Sequence, residues 1–128
     1  MQNPLPRPTD AELAILRVLW EQGPSTVRQV HETLGRRQSI GYTTALKLLQ
    51  IMTEKGLVVR DETQRAHLYR PRLSPDETQD QLVSDLMERA FGGSAAKLVQ
   101  RALSSKPARP EELAEVRKLL DDLAGERS

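Results

Sequence analysis

The chain of 128 residues contains no cysteine. Disulfide frameworks, thiolate zinc sites and thiol redox chemistry are therefore closed to it, and a reducing, cytoplasmic setting is expected. Aromatic residues are scarce: one Trp, one Phe and two Tyr. Leu and Val must do most of the packing. No apolar run approaches the ~20 residues that span a bilayer, so no membrane insertion is expected. The opening MQNPLPRPTD lacks the basic-then-apolar order of a secretory signal. No Walker loop, GxGxxG, GxSxG or HExxH occurs, which leaves nucleotide, acyl-transfer and zinc-peptidase chemistry without its usual residues. His31 and His67 stand far apart with no Cys or Ser motif beside them. Carboxylates such as Glu77, Glu111 and Glu112 fall in the first turns of helices, where capping and the helix dipole account for them. No enzyme activity, metal or cofactor is expected.

Charge is present and unevenly spread. Residues 1–72 hold 11 Lys/Arg against 7 Asp/Glu, a balance of +4. Residues 73–128 hold 8 against 11, or −3, which together recover the chain's +1. A basic first half and an acidic second half suit a module facing phosphates joined to one that does not.

The patterning divides the chain into a flexible leader over 1–8, a first domain over 9–72 and a helical domain over 73–128. The leader carries three prolines. Thr9 and Glu12 have capping-box spacing and predict a helix from Asp10 to Gln22, its inner face built on Leu13, Leu16 and Trp20 with Ile15 and Leu19. Gly23-Pro24 stops it. Ser25 or Thr26 starts a second helix, to about Leu34, with Val27, Val30 and Leu34 inward and Gly35 as its end. After a basic turn, Arg36-Arg37-Gln38-Ser39, a third helix runs from about Gly41 to Lys55. There Ala45, Leu48, Leu49 and Met52 recur at helical spacing. Gly56 ends it. Leu57-Val58-Val59 and Ala66 to Tyr69 read as two strands around a polar tip, and so lone a hairpin must pack on the helices. Ser74-Pro75-Asp76-Glu77 is a sharp helix start. It opens a fourth helix, to about Phe91. Gly92-Gly93 and the loop over 104–109 separate a fifth and a sixth.

Three helices and a hairpin in this order form a winged helix-turn-helix, so the expected fold is mainly α, with a two- or three-stranded wing and a C-terminal three-helix dimerisation region. The outer face of the third helix is small, polar and basic. Thr43 and Thr44 can donate to phosphates or meet a thymine methyl, and Lys47 can reach a guanine edge or a phosphate. Tyr42 borders that face. Arg36 and Arg37 precede it, where backbone contacts fall. Arg65 and His67 alternate with Ala66 and Leu68 and so point away from the core. The expected partner is double-stranded DNA. Leu46 and Ile51 favour a different class, a winged helix used only for protein contact, and that alternative stays open.

The segments TDAELAILRVLW at 9–20, YTTALKLLQIMTEKGLV at 42–58 and RAHLYRP at 65–71 resemble the penicillinase-repressor (BlaI/MecI) family of bacterial transcription regulators. FGGSAAKLV at 91–99 and EELAEVRKLL at 111–120 extend the likeness over about 9–123. The resemblance implies a homodimeric repressor on inverted-repeat operators, with Tyr42, Thr43, Thr44 and Lys47 on the recognition helix and Arg65 and His67 on the wing. It also implies cleavage in the dimerisation region by a membrane sensor metallopeptidase. The best-known members carry an Asn-Phe pair at the bond that is cut, and this chain departs from it with Arg101-Ala102 at the matching position. Many members carry Thr where Lys47 stands and Arg where Ile51 stands. Copper-responsive relatives end in a cysteine cluster that this chain lacks. In the last three helices, Leu82, Leu86, Phe91, Leu98, Leu113, Val116, Leu120 and Leu123 are the expected dimerisation residues, because an isolated apolar stripe must be buried somewhere.

Overall fold

The computed structural model describes residues 7–105 and 108–127. The expected leader lies, apart from Arg7 and Pro8, outside them. The order is α1 (Asp10–Gln22), α2 (Val27–Arg37), α3 (Tyr42–Lys55), β1 (Val58–Asp61), β2 (Leu68–Pro71), α4 (Pro75–Phe91), α5 (Ala95–Ser105) and α6 (Pro110–Arg127). The chain forms two compact units, Met1–Val83 and Ser84–Ser128. Among the described residues no helix is long and apolar enough to cross a membrane.

Local signals set the helix ends in the first unit. Thr9 caps α1 reciprocally with Glu12, whose carboxylate accepts from the Thr9 N–H at 2.8 Å. Thr26 caps α2 with Gln29 in the same way. Gly56 ends α3 at φ 80°, a left-handed conformation that suits glycine. One helix end departs from the sequence reading. Gly35 does not take a positive φ, so α2 continues through it to Arg37, and Gln38 closes the helix by donating its N–H to the Leu34 carbonyl at 2.6 Å. Arg36 and Arg37 therefore form the last turn of α2 rather than a turn beyond it. Cations there face the negative end of the helix dipole.

The core of this unit joins Ile15, Leu16, Val18 and Leu19 of α1, Val27, Val30 and Leu34 of α2, and Ala45, Leu49 and Met52 of α3. Leu57, Val58 and Tyr69 complete it from the hairpin. Trp20, expected inside, is only half-buried and donates its indole N–H to the Leu73 carbonyl at 3.0 Å. Glu12 does more than cap. It is 2% exposed and meets Lys55 Nζ at 2.6 Å, tying the start of α1 to the end of α3. Burial pushes its carboxyl pKa up, but the hydrogen bonds from Lys55 and Thr9 and the Lys55 charge outweigh it, and the net shift is downward.

The wing is an antiparallel pair with Val58 opposite Pro71 and Arg60 opposite Tyr69. Ser25 and Tyr69 exchange backbone hydrogen bonds of 3.0 and 2.8 Å, so the loop before α2 adds one bridge to the free side of β2. The register overturns the expected strand parity, because it sets Tyr69 and Pro71 on the same face as the buried Val58. Tyr69, held between Ser25 and Arg60, is the residue turned inward, and Leu68 is only half-buried. The second strand starts two residues later than expected, which leaves Arg65, Ala66 and His67 in the connecting loop.

In the second unit Gly92 and Gly93 take φ values of 58° and 82° and break the chain between α4 and α5. Ser94 caps α5 through the Lys97 N–H at 3.2 Å. None of the described residues from 84 onward is buried.

Candidate nucleic-acid interface

The third helix is held by its inner face and exposes the opposite one. With Ala45, Leu49 and Met52 fully buried, Tyr42, Thr43, Thr44, Lys47, Gln50 and Ile51 face solvent. Its start differs chemically from those of α1, α2, α4 and α5. Each of those has a Ser or Thr side chain accepting from the helix backbone. The residue before α3 is Gly41, with no side-chain cap and no acid in the first turn. The free N–H groups there, and the positive end of the helix dipole, remain available to an anion.

The structure gathers some of the expected contact residues and separates others. Tyr42, Arg65 and His67 line one cleft of about 430 Å³, between the first turns of α2 and α3 and the wing loop. Thr26, Arg28 and Leu46 share its walls. Tyr42, 48% exposed, is braced by a T-shaped contact with His31 on α2, with ring centroids 5.9 Å apart and planes at 85°. Thr43, Thr44 and Lys47 stand on the exposed face of the same helix. The other two arginines lie elsewhere. Arg36 lines a separate polar groove with Gln22, Gln29, Glu32 and Thr33, and Arg37 is paired with Glu21 of α1 at 3.1 Å.

Sequence reasoning passed over Arg28 and gave His31 no part in the site. Arg28 lies next to Val27, an inner-face residue at the start of α2, and only the fold carries the wing loop to it. A signal existed in the Thr26–Gln29 capping box, which fixes the start of α2 and so turns Arg28 outward. At the wing tip, Asp61 accepts from the Thr63 N–H and hydroxyl at 2.9 and 2.8 Å. These bonds lower its carboxyl pKa and order the turn.

Three helices, a two-stranded wing and an uncapped third helix exposing Thr, Thr and Lys define a winged helix-turn-helix module. The chain belongs to the penicillinase-repressor family, whose model matches residues 8–122. Transcriptional regulator BlaI of Mycobacterium tuberculosis is 40% identical over 98 residues, which is 74% of this chain and 71% of that protein. The penicillinase repressor of Bacillus licheniformis is 20% identical over 118 residues, 92% of each chain. In fold, the chain is similar to the solution structure of B. licheniformis BlaI in monomeric form with the blaP half-operator, at TM-score 0.52 and 21% identity, over 59% of this chain and 93% of that one. A transcriptional regulator of Thermotoga maritima gives TM-score 0.51 at 19% identity, over 91% of this chain and 74% of that one. As a member of its family the protein is a DNA-binding transcriptional repressor.

Proposed function

We propose that the protein represses transcription as a cytoplasmic homodimer on an inverted-repeat operator, each copy placing α3 in a major groove and its wing loop on the adjoining backbone. The observation that carries this reading is the exposed face of α3, polar and basic, with an uncapped start beside a basic cleft. Thr43, Thr44 and Lys47 are the base-facing side chains. Tyr42, Arg65 and His67 meet the backbone or the minor groove, and Arg36 and Arg37 extend the backbone contact from α2. The dimer follows from the apolar stripes of the second unit: Leu86, Leu113, Leu120 and Leu123 are all exposed in the single chain, and two half-sites about one helical turn (~34 Å) apart need two copies.

Release is by cleavage in the dimerisation region by a membrane sensor metallopeptidase. The bond in question, Arg101-Ala102, lies within α5 with both residues exposed. A helical bond must unwind to enter a protease, so cleavage requires local opening of α5. The intact mass of the protein recovered from repressed and derepressed cells tests this. A chain still whole after derepression rules cleavage out.

Selection of bound fragments from a random duplex pool tests the operator reading. Recovery of an inverted repeat with half-sites one turn apart is the expected result. Recovery of no shared sequence, with only weak salt-sensitive binding, overturns it and favours a protein-contact role.

A further inference from the structure

The cleft beside α3 has a composition unlike its surroundings. Its walls carry Arg28 from α2, Arg65 and His67 from the wing loop, and the Tyr42 ring, and none of its lining residues is Asp or Glu. Elsewhere on this unit arginines stand with carboxylates: Arg37 with Glu21, Arg60 with Glu62, and Arg36 in a groove with Glu32. Among the described residues neither Arg28 nor Arg65 is in an ion pair, and both are exposed. Two arginines on one concave space with no carboxylate beside them have unfavourable mutual repulsion that an anion relieves. At about 430 Å³ the cleft is larger than a phosphate alone requires, and Leu46, Ala66 and the Tyr42 ring give it an apolar side against which a sugar can rest.

We propose that this cleft seats one sugar-phosphate unit of the DNA backbone, with Arg28 and Arg65 gripping the same phosphate from opposite walls. Arg28 then brings the first turn of α2 to the DNA as well as its last, and the wing loop is held to α2 through the phosphate they share. His31, behind the Tyr42 ring, is a positioning residue for the apolar wall. This rests on the operator-binding reading for its biological setting but not for its test.

The test is fluorescence anisotropy over a range of salt with the Arg28→Ala, Arg65→Ala and double variants, on two probes: the duplex recovered from the pool selection and a duplex of mixed sequence. Arg17→Ala, which removes an exposed charge from α1, is the control, and Arg28→Lys retains the charge. Arg28→Ala is expected to weaken binding to both duplexes, and the double variant, which leaves the phosphate with neither arginine, to lower the slope of log affinity against log salt by about 1, while Arg17→Ala does neither and Arg28→Lys restores the affinity. Because the two arginines share a phosphate, the double variant should lose less than the product of the two single losses. Neutral methylphosphonate linkages placed one at a time should reveal a position that weakens the parent and leaves the double variant unchanged. An Arg28→Ala variant with the parent's affinity, or a double variant with the parent's slope, on both duplexes overturns the proposal. Saturable binding of inorganic phosphate that depends on Arg28, with the DNA slope unchanged, overturns it in favour of a free phosphate ligand. If selection finds no operator, the mixed-sequence duplex still reads Arg28, so the two failures are distinguishable.

Discussion

Between residues 15 and 69, thirteen apolar side chains are buried, contributed by three helices and the hairpin. From residue 84 onward, among the described residues, none is, although α4, α5 and α6 expose Leu86, Val99, Leu113, Leu119, Leu120 and Leu123. The two regions have similar local grammar, with Ser or Thr caps, acidic first turns and amphipathic stripes. They differ in whether the stripes meet one another. A winged helix-turn-helix closes its core within one chain. Helices whose apolar faces stay open must be covered from outside, and each Leu taken from exposed to buried contributes about 1.5–3 kcal/mol. The first unit thus carries its own stability, and the second holds apolar surface suited to association.

The largest effect that would break this contrast lies in α6. Leu120, 56% exposed, should become a buried charge at the proposed interface when replaced by Asp. Leu120→Asp is expected to sediment as a monomer and to lose about 10²–10⁴-fold in operator affinity, the avidity of two linked half-sites. Unchanged sedimentation removes α6 from the interface. Leu49→Ala attacks the other side of the comparison. Leu49 is fully buried in α3, and the truncation should cost about 2–5 kcal/mol, read as a fall in the denaturation midpoint of the winged unit. A loss below about 1 kcal/mol would mean that this core is not close-packed.

Glu12→Gln should cost about 2 kcal/mol, because it leaves Lys55 without its nearly buried partner. It should also change the pH dependence. The folded state holds the Glu12 carboxyl below its ordinary value of 4.5. Its contribution is therefore fully present above that value and is lost as pH falls through the lower folded value. Parent and variant stability should converge on acidification, and parallel curves from pH 7 down through the carboxylate range would exclude the linkage. The smallest change expected is in specificity. Lys47→Ala should weaken binding to the best site by about tenfold, ~1.4 kcal/mol, with the thermal midpoint unchanged. Equal affinity of variant and parent would remove Lys47 as a reader of DNA.

Much of the fold was legible in residue order. The Thr9–Glu12 and Ser74–Glu77 boxes, Gly56, and the Ala45–Leu49–Met52 stripe marked real elements, and Penicillinase-repressor membership followed the same segments. Two local readings failed for tertiary reasons. Gly35 was read as a stop, yet nothing in the packed chain asks it for a positive φ and α2 runs on. The sequence pattern points Leu68 inward, but the register that sets Val58 opposite Pro71 puts Tyr69 on the buried face instead.

The helix boundaries and inner faces could be read from the chain because capping, glycine conformations and apolar periodicity act within a few residues. The state of each charge could not. Glu12 looks like a cap until Lys55, 43 residues away, reaches it. Arg37 looks free until Glu21, 16 residues back, pairs with it. Arg28 looks like an ordinary surface cation until the wing loop brings Arg65 and His67 to the same cleft. Coulomb energies depend on separation in space and on exclusion of water, and only the folded chain fixes either.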